Sequence, residues 1–121
     1  MAMALLPTSA QASQFSQNLA DVWAMPWEGD KWISSTDIDG WGVNSCVSVT
    51  YGQSHGDFSP QGWFFTIRTS KTAERQGAGS PNYYGTGRQC MYRQSNSFWT
   101  YTRVTAHKGT YLSDIRVEMN T

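Results

Sequence analysis

Excess charge of either sign is what this chain most conspicuously lacks. Nine Lys and Arg balance nine Asp and Glu over 121 residues, with two His besides, and charged residues are only 15% of the total. A protein that neutralises a row of phosphates needs a cationic surplus, because counterion release supplies most of that binding. Nucleic acid is therefore not an expected partner, and an anionic membrane surface is not one either. Long apolar runs are missing too: no stretch approaches the ~18 residues that span a bilayer as a helix, so no membrane insertion is expected. Cysteine is limited to Cys46 and Cys90, each inside a predicted strand. One reading is a disulfide, which would close a loop of about 45 residues and contribute roughly 4 kcal/mol through chain entropy. The other is a pair of buried thiols acting as small apolar side chains.

Catalytic and metal signatures are equally sparse. Asp37-Ile38-Asp39-Gly40 begins like a calcium loop, but Trp41 stands at the next ligand position and no glutamate follows at the right spacing. An Asp-stabilised turn accounts for it. His55 and Asp57 form a loose pair, and His107 lies far away; with the two cysteines they match no zinc spacing, so no metal is expected. No Gly-x-Ser-x-Gly elbow places a serine beside a base, and neither cysteine has a nucleophile signature. Asp37, Asp39, Asp57 and Glu74 offer carboxyl pairs for glycoside chemistry only in the sense that any nine acids would. Gly77-x-Gly79 and Gly85-x-Gly87 have no following helix or lysine, so they are loops and not phosphate cradles. Neither an enzyme nor a cofactor is expected.

The composition is rich instead in aromatics, with six Trp, six Tyr and five Phe, on a background of Ser, Thr, Gln, Asn and Gly. Such a surface hydrogen-bonds without strong fields, as sugar-binding and adhesive proteins do, and it also suits pleated sheets generally. Ala10-Gln11-Ala12 has the small-x-small pattern of a signal-peptidase site. The apolar stretch before it is too short for a signal peptide, and no Lys or Arg precedes Lys31, so residues 1–12 read as a cut-down leader or a cloning scar.

Phe15, Leu19 and Val22 fall at i, i+4 and i+7, which predicts a short helix from Ser13 to Trp23, stopped by Pro26. Strands are predicted at Lys31–Ser35, Cys46–Tyr51, Trp63–Thr69 and Tyr111–Met119, with Val47, Val49 and Tyr51 sharing one face. Arg88–Arg93 and Phe98–Val104 read as a hairpin joined through Ser95-Asn96-Ser97. The expected core is Val47, Val49, Phe65, Ile67, Met91, Val104, Ile115 and Val117. The fold class expected is mainly β: a small antiparallel β-sandwich or single-sheet knob with a short N-terminal helix. Residues 1–25 would be a leader, helix or stem end, and residues 26–121 a β-rich binding domain.

Some aromatics are not placed inside by alternation: Trp27, Trp41, Tyr83, Tyr84 and Trp99 sit in or beside predicted loops. Flat rings of this kind stack on the apolar faces of sugars while amides and guanidiniums bond the hydroxyls. They also serve as lids on core edges or as subunit contacts. The candidate ligand contacts are Tyr83 and Tyr84, with Trp27 and Trp41 as further rings and Asn82, Arg88, Gln53 and His55 as polar partners.

From Trp41 to Val104 the strand Asn44–Tyr51 is followed by Gln61–Thr69, then Arg88–Arg93, then a finish reading Tyr92-Arg93 and Trp99-x-Tyr101-x-Arg103-Val104. This pattern resembles the knob-type modules near the distal ends of phage tail fibres and R-type pyocin fibres. The resemblance implies a homotrimer in which a fibre stem precedes the knob, and adhesion to a bacterial surface receptor, often a lipopolysaccharide glycan. A bacterial pilus-tip adhesin, as an exported protein, accounts better for the cysteine pair. A structural virion or fibre protein with no external ligand is a third possibility. The expected locations are a virion tail fibre or the cell exterior.

Overall fold

The computed structural model of the protein describes residues 14–39, 42–54, 62–69, 79–94 and 99–120. The leader-like segment, Trp41, His55, Asp57, Glu74 and the Ser95-Asn96-Ser97 connection lie outside the described residues. The described chain is mainly β. Its strands are β1 (Gln14–Leu19), β2 (Val22–Ala24), β3 (Lys31–Ser34), β4 (Ile38–Asp39), β5 (Gly42–Ser54), β6 (Trp63–Thr69), β7 (Gly87–Gln94), β8 (Trp99–Ala106) and β9 (Thr110–Asn120).

The strands form two antiparallel sheets. In the first, the order is β1–β9–β5–β7, and β2 continues along the same edge of β9 as β1. In the second, β8 is central, with β6 along one edge and β3 then β4 along the other. The break between β3 and β4 is bridged by Ser35. Its backbone N–H donates to the Thr102 carbonyl at 2.9 Å, and its hydroxyl accepts from the Thr102 N–H at 3.0 Å. The ladder thus loses no buried hydrogen bond where the edge strand bends.

One apolar cluster joins the sheets. Leu19, Val22, Val43, Val47, Val49, Leu112, Ile115, Val117 and Met119 come from the first, and Ile38, Trp63, Phe65, Ile67, Val104 and Ala106 from the second. Met91, expected in the core, is only partly buried because β7 is an edge strand. A hydrogen bond of 2.7 Å between the Ser45 and Thr102 hydroxyls crosses from β5 to β8 inside this core.

Three expectations are corrected. No helix occurs among the described residues: Phe15 and Leu19 lie on β1 and Val22 on β2, paired to β9 through Phe15↔Met119, Leu19↔Ile115 and Val22↔Leu112. Arg88–Arg93 and Phe98–Val104 are not a hairpin, because β7 pairs with β5 in the first sheet while β8 belongs to the second. Tyr51 does not share the core face of Val47 and Val49; it is exposed.

The first and third corrections have one cause, a crease across the first sheet. Core-facing positions are normally two residues apart on a strand. Here they are three apart along three neighbouring rows, from β1 into β2, on β9 and on β5: Leu19 and Val22, Ile115 and Leu112, Val49 and Gly52. The pairs stay in register, Leu19↔Ile115↔Val49 on one side and Val22↔Leu112↔Gly52 on the other. Two residues in each row turn outward between them: Ala20 and Asp21, Ser113 and Asp114, Thr50 and Tyr51. Asp114 takes the strain, with φ at 53°. Gly52 fits at the crease because a Cβ there would meet the Gly85 carbonyl oxygen at 2.8 Å.

Segment 79–83 covers the outer edge of β6. Trp63 and Tyr83 exchange backbone hydrogen bonds of 2.8 and 2.7 Å, and the Ser80 N–H donates to the Phe65 carbonyl at 2.9 Å. Gly62 enters this arrangement with φ at 73°, and a Cβ on it would collide with the Tyr83 carbonyl oxygen and, at 2.8 Å, with the Tyr84 ring. Gly62→Ala is therefore expected to cost about 2 kcal/mol, from a left-handed backbone and a clash with main chain together. Chemical denaturation measures it; a loss under about 0.5 kcal/mol would contradict the close approach.

Candidate functional site

Beyond the crease, the solvent face of the first sheet carries a cross-strand row: Trp23 on β2, Tyr111 on β9 and Gln53 on β5. Tyr51, turned outward by the crease, sits diagonally beside Tyr111. Trp23 and Tyr111 have centroids 5.9 Å apart and planes 79° apart; for Tyr51 and Tyr111 the values are 5.9 Å and 66°. Since β9 runs between β2 and β5, Trp23 and Tyr51 stand on opposite sides of Tyr111. The steeply inclined planes wall a groove of about 430 Å³ lined by Trp23, Tyr51, Gln53 and Tyr111. Trp23 and Tyr51 are each 46% exposed.

Polar contacts hold the rings. The Tyr111 hydroxyl donates to the Asp21 carboxylate at 2.6 Å, and the Tyr51 hydroxyl donates to Gln53 Oε1 at 2.6 Å. Asp21 comes from the outward pair of the crease, so the distortion that exposes Tyr51 also positions the acid. The hydrogen bond to Asp21, then partial desolvation and the negative charges of Asp21 and Asp114, hold the Tyr111 phenol above its ordinary pKa of 10.0. Tyr111 is accordingly a neutral donor throughout the physiological range. Because the side chains stand on paired strands, the groove's geometry is set by the sheet and not by a loop.

The solvent face of the second sheet offers a smaller hollow of about 200 Å³, lined by Asp30, Trp32, Phe64, Thr66, Arg68, Arg103 and Thr105. Its rings are already engaged. The Arg103 guanidinium lies 4.0 Å from the Trp32 ring centroid, and Phe64 packs on His107 at 5.1 Å. His107 in turn contacts Asp30 at 3.2 Å and Asn82 at 3.0 Å, tying segment 79–83 to the chain ahead of β3. A ring covered by a guanidinium has given up that face to cation–π contact.

The residues selected from sequence do not form one site. Tyr83 is a core-edge residue, with its ring 4.9 Å from Trp63 and 6.2 Å from Phe65. Tyr84 is 59% exposed beside Gly62, and Trp27 is 77% exposed on the turn after β2. Asn82 is taken up by His107. Arg88 pairs with Glu118 at 3.1 Å on the β7 side of the first sheet. Gln53 alone of that set lines the aromatic groove. Trp41 and His55 lie outside the described residues. Cys46 and Cys90 are directly opposed on β5 and β7 and joined as a disulfide.

Alternation and turn composition do not single out Trp23, Tyr51, Tyr111 or Asp21, since Trp23 falls in the expected helix and Tyr51 on the expected core face. A signal was present. Leu19 and Val22, Val49 and Gly52, and Leu112 and Ile115 all bracket two outward residues, and a repeated three-residue step in successive strands marks a crease. Compared with models of protein families, with curated proteins and with solved structures, the chain matches none.

Proposed function

We propose that the protein is a non-catalytic receptor-binding module on a small β-sandwich, and that its ligand is a bacterial cell-surface glycan held at the Trp23–Tyr111–Tyr51 groove. The observation that carries this reading is the convergence of three rings from three strands on one open groove beside a carboxylate and an amide. Ring faces accept the C–H faces of a sugar, and Asp21 and Gln53 bond its hydroxyls. A neutral sugar carries no charge for salt to screen, so such binding is expected to be insensitive to ionic strength.

The disulfide gives the second reading its support. Disulfides persist in oxidising compartments and are unusual in proteins assembled in the cytosol. Cys46–Cys90 therefore favours an exported adhesin of the pilus-tip kind over a tail-fibre knob. In either setting several copies, a trimer in the fibre case, would raise a modest single-site affinity through effective concentration.

A glycan array probed with the protein tests the proposal. Trp23→Ala and Tyr51→Ala are each expected to weaken the best signal about tenfold, the scale of one lost ring contact. Trp27→Ala and Tyr84→Ala, on rings outside the groove, are expected to leave it unchanged. Binding that survives both groove variants but fails with Tyr84→Ala would move the site to segment 79–86. Silence from the monomer and from a multivalent display would leave the structural-protein reading.

A further inference from the structure

We propose that two copies of this chain pair through the outer edge of β7, continuing the first sheet across a two-fold axis. The inference goes beyond the groove and does not depend on it. A strand edge with unpaired N–H and C=O groups is a template for another strand, and sheets normally guard such edges. The other three edges of the two sheets are guarded: segment 79–83 covers β6, the crease interrupts β1 and β2, and the bend at Ser35 interrupts β3 and β4. β7 runs unbroken over eight residues, and among the described residues it pairs with β5 alone.

The spacing at Cys90 tells which groups of β7 face outward. In an antiparallel pair, opposed residues with Cα atoms about 5.5 Å apart hydrogen-bond to each other, and those about 4.5 Å apart do not. The Cα atoms of Cys46 and Cys90 are 4.0 Å apart, so Cys90 is of the second kind. Its main-chain N–H and C=O point away from β5, and by alternation so do those of Arg88 and Tyr92. The Tyr92 ring does not screen them: it leans back over β5, where a Cβ on Gly42 would meet its Cζ at 3.1 Å.

Bonded and non-bonded pairs alternate along a ladder, so a two-fold axis must pass through a residue that faces itself. Centring on Cys90 sets Arg88, Cys90 and Tyr92 opposite Tyr92, Cys90 and Arg88 of the second copy, each pair exchanging both main-chain bonds. Each Arg88 then lies against a Tyr92 ring that is 63% exposed, a cation–π contact made twice by symmetry. The bonds from Arg88 to Glu118, at 3.1 and 3.4 Å, use the guanidinium edge and leave its plane for the ring. With zero net charge, the copies do not repel each other at long range. The axis stands perpendicular to the sheet, so the same face of both copies looks the same way. On the groove reading above, two grooves would then address one surface together.

Sedimentation equilibrium on the full chain tests this, with a dimer expected at a dissociation constant of roughly 100 µM, the weak range of a small interface. Amide hydrogen exchange gives a residue-level readout. Arg88, Cys90 and Tyr92 should slow as protein concentration rises, whereas Gln89, Met91 and Arg93, already bonded to β5, should not change. Tyr92→Pro removes one outward donor at a position where an edge strand tolerates proline, and should abolish the dimer. Tyr92→Ala keeps the donor, loses both ring contacts and should weaken the dimer about tenfold. Circular dichroism and the melting temperature establish that each variant is folded; if Tyr92→Pro is not, the parent's exchange pattern and Tyr92→Ala decide. A monomeric or trimeric mass at about 1 mM, about ten times the expected constant, would overturn the proposal. So would a dimer that survives a folded Tyr92→Pro, or one that leaves exchange at Cys90 and Tyr92 unchanged.

Discussion

Replacing Trp63 with alanine should cost about 3–5 kcal/mol, a large part of the stability of a domain this size. Trp63 is 1% exposed, its ring packs on Phe65 and Tyr83, and its indole N–H donates to the Gly85 carbonyl at 3.2 Å. Truncation removes apolar area from both sheets' shared core and opens a cavity that neighbouring strands, held by their ladders, cannot close. It also orphans the Gly85 carbonyl and loosens segment 79–83 along β6. Urea denaturation should show a lowered midpoint with an unchanged slope. Trp63→Phe separates the contributions: it keeps most of the packing, loses the hydrogen bond and should cost about 1–2 kcal/mol. Among the described residues Trp63 is the buried tryptophan, whereas Trp23, Trp27, Trp32 and Trp99 are exposed. Its loss should therefore red-shift the emission of the folded protein. A variant within about 1 kcal/mol of the parent would show that this ring is not central to the core.

Reduction of Cys46–Cys90 is expected to have an effect of similar size with a different spatial signature. The bond closes a loop between residues 44 apart, so the chain-entropy contribution is about 4 kcal/mol and the expected fall in Tm is about 10–20 °C. The bond lies within the first sheet, joining β5 to β7, which among the described residues pairs with no other strand. Loss of the cross-link should let β7 open before the rest of the sheet. Hydrogen exchange is then expected to accelerate first at Arg88 to Arg93, while β9 amides stay protected until global unfolding. A melting temperature unmoved by reductant, with thiols shown to be free, would contradict this account.

These two effects lie on residues that the chain's alternation made legible. Trp63, Phe65 and Ile67 share a face in the sequence and are buried together, and the cysteines fall on strands that pair residue for residue. The aromatic groove was less legible, because a crease changes the step between core positions from two to three. Across β1 and β2 that step turned an i, i+2, i+4 strand pattern into one resembling i, i+4, i+7. Propensity could not decide between them, since helix and strand preferences are weak and tertiary context overrides them. Pairing with β9 decided it, because Phe15, Leu19 and Val22 find Met119, Ile115 and Leu112 across the ladder.

By itself the sequence determined the balance of charge, the β-rich character, most of the core and the absence of any recognisable catalytic motif, all of which depend on residue type and local period. Only the tertiary structure decided that β7 and β8 belong to different sheets, that Tyr83 is packed on the core, and that Trp23, Tyr51, Tyr111 and Asp21 meet. The reason is physical. Local period reports which way a side chain points from its own strand, whereas a site is made by neighbours across strands, and those are chosen by register and by the distortion at Asp114.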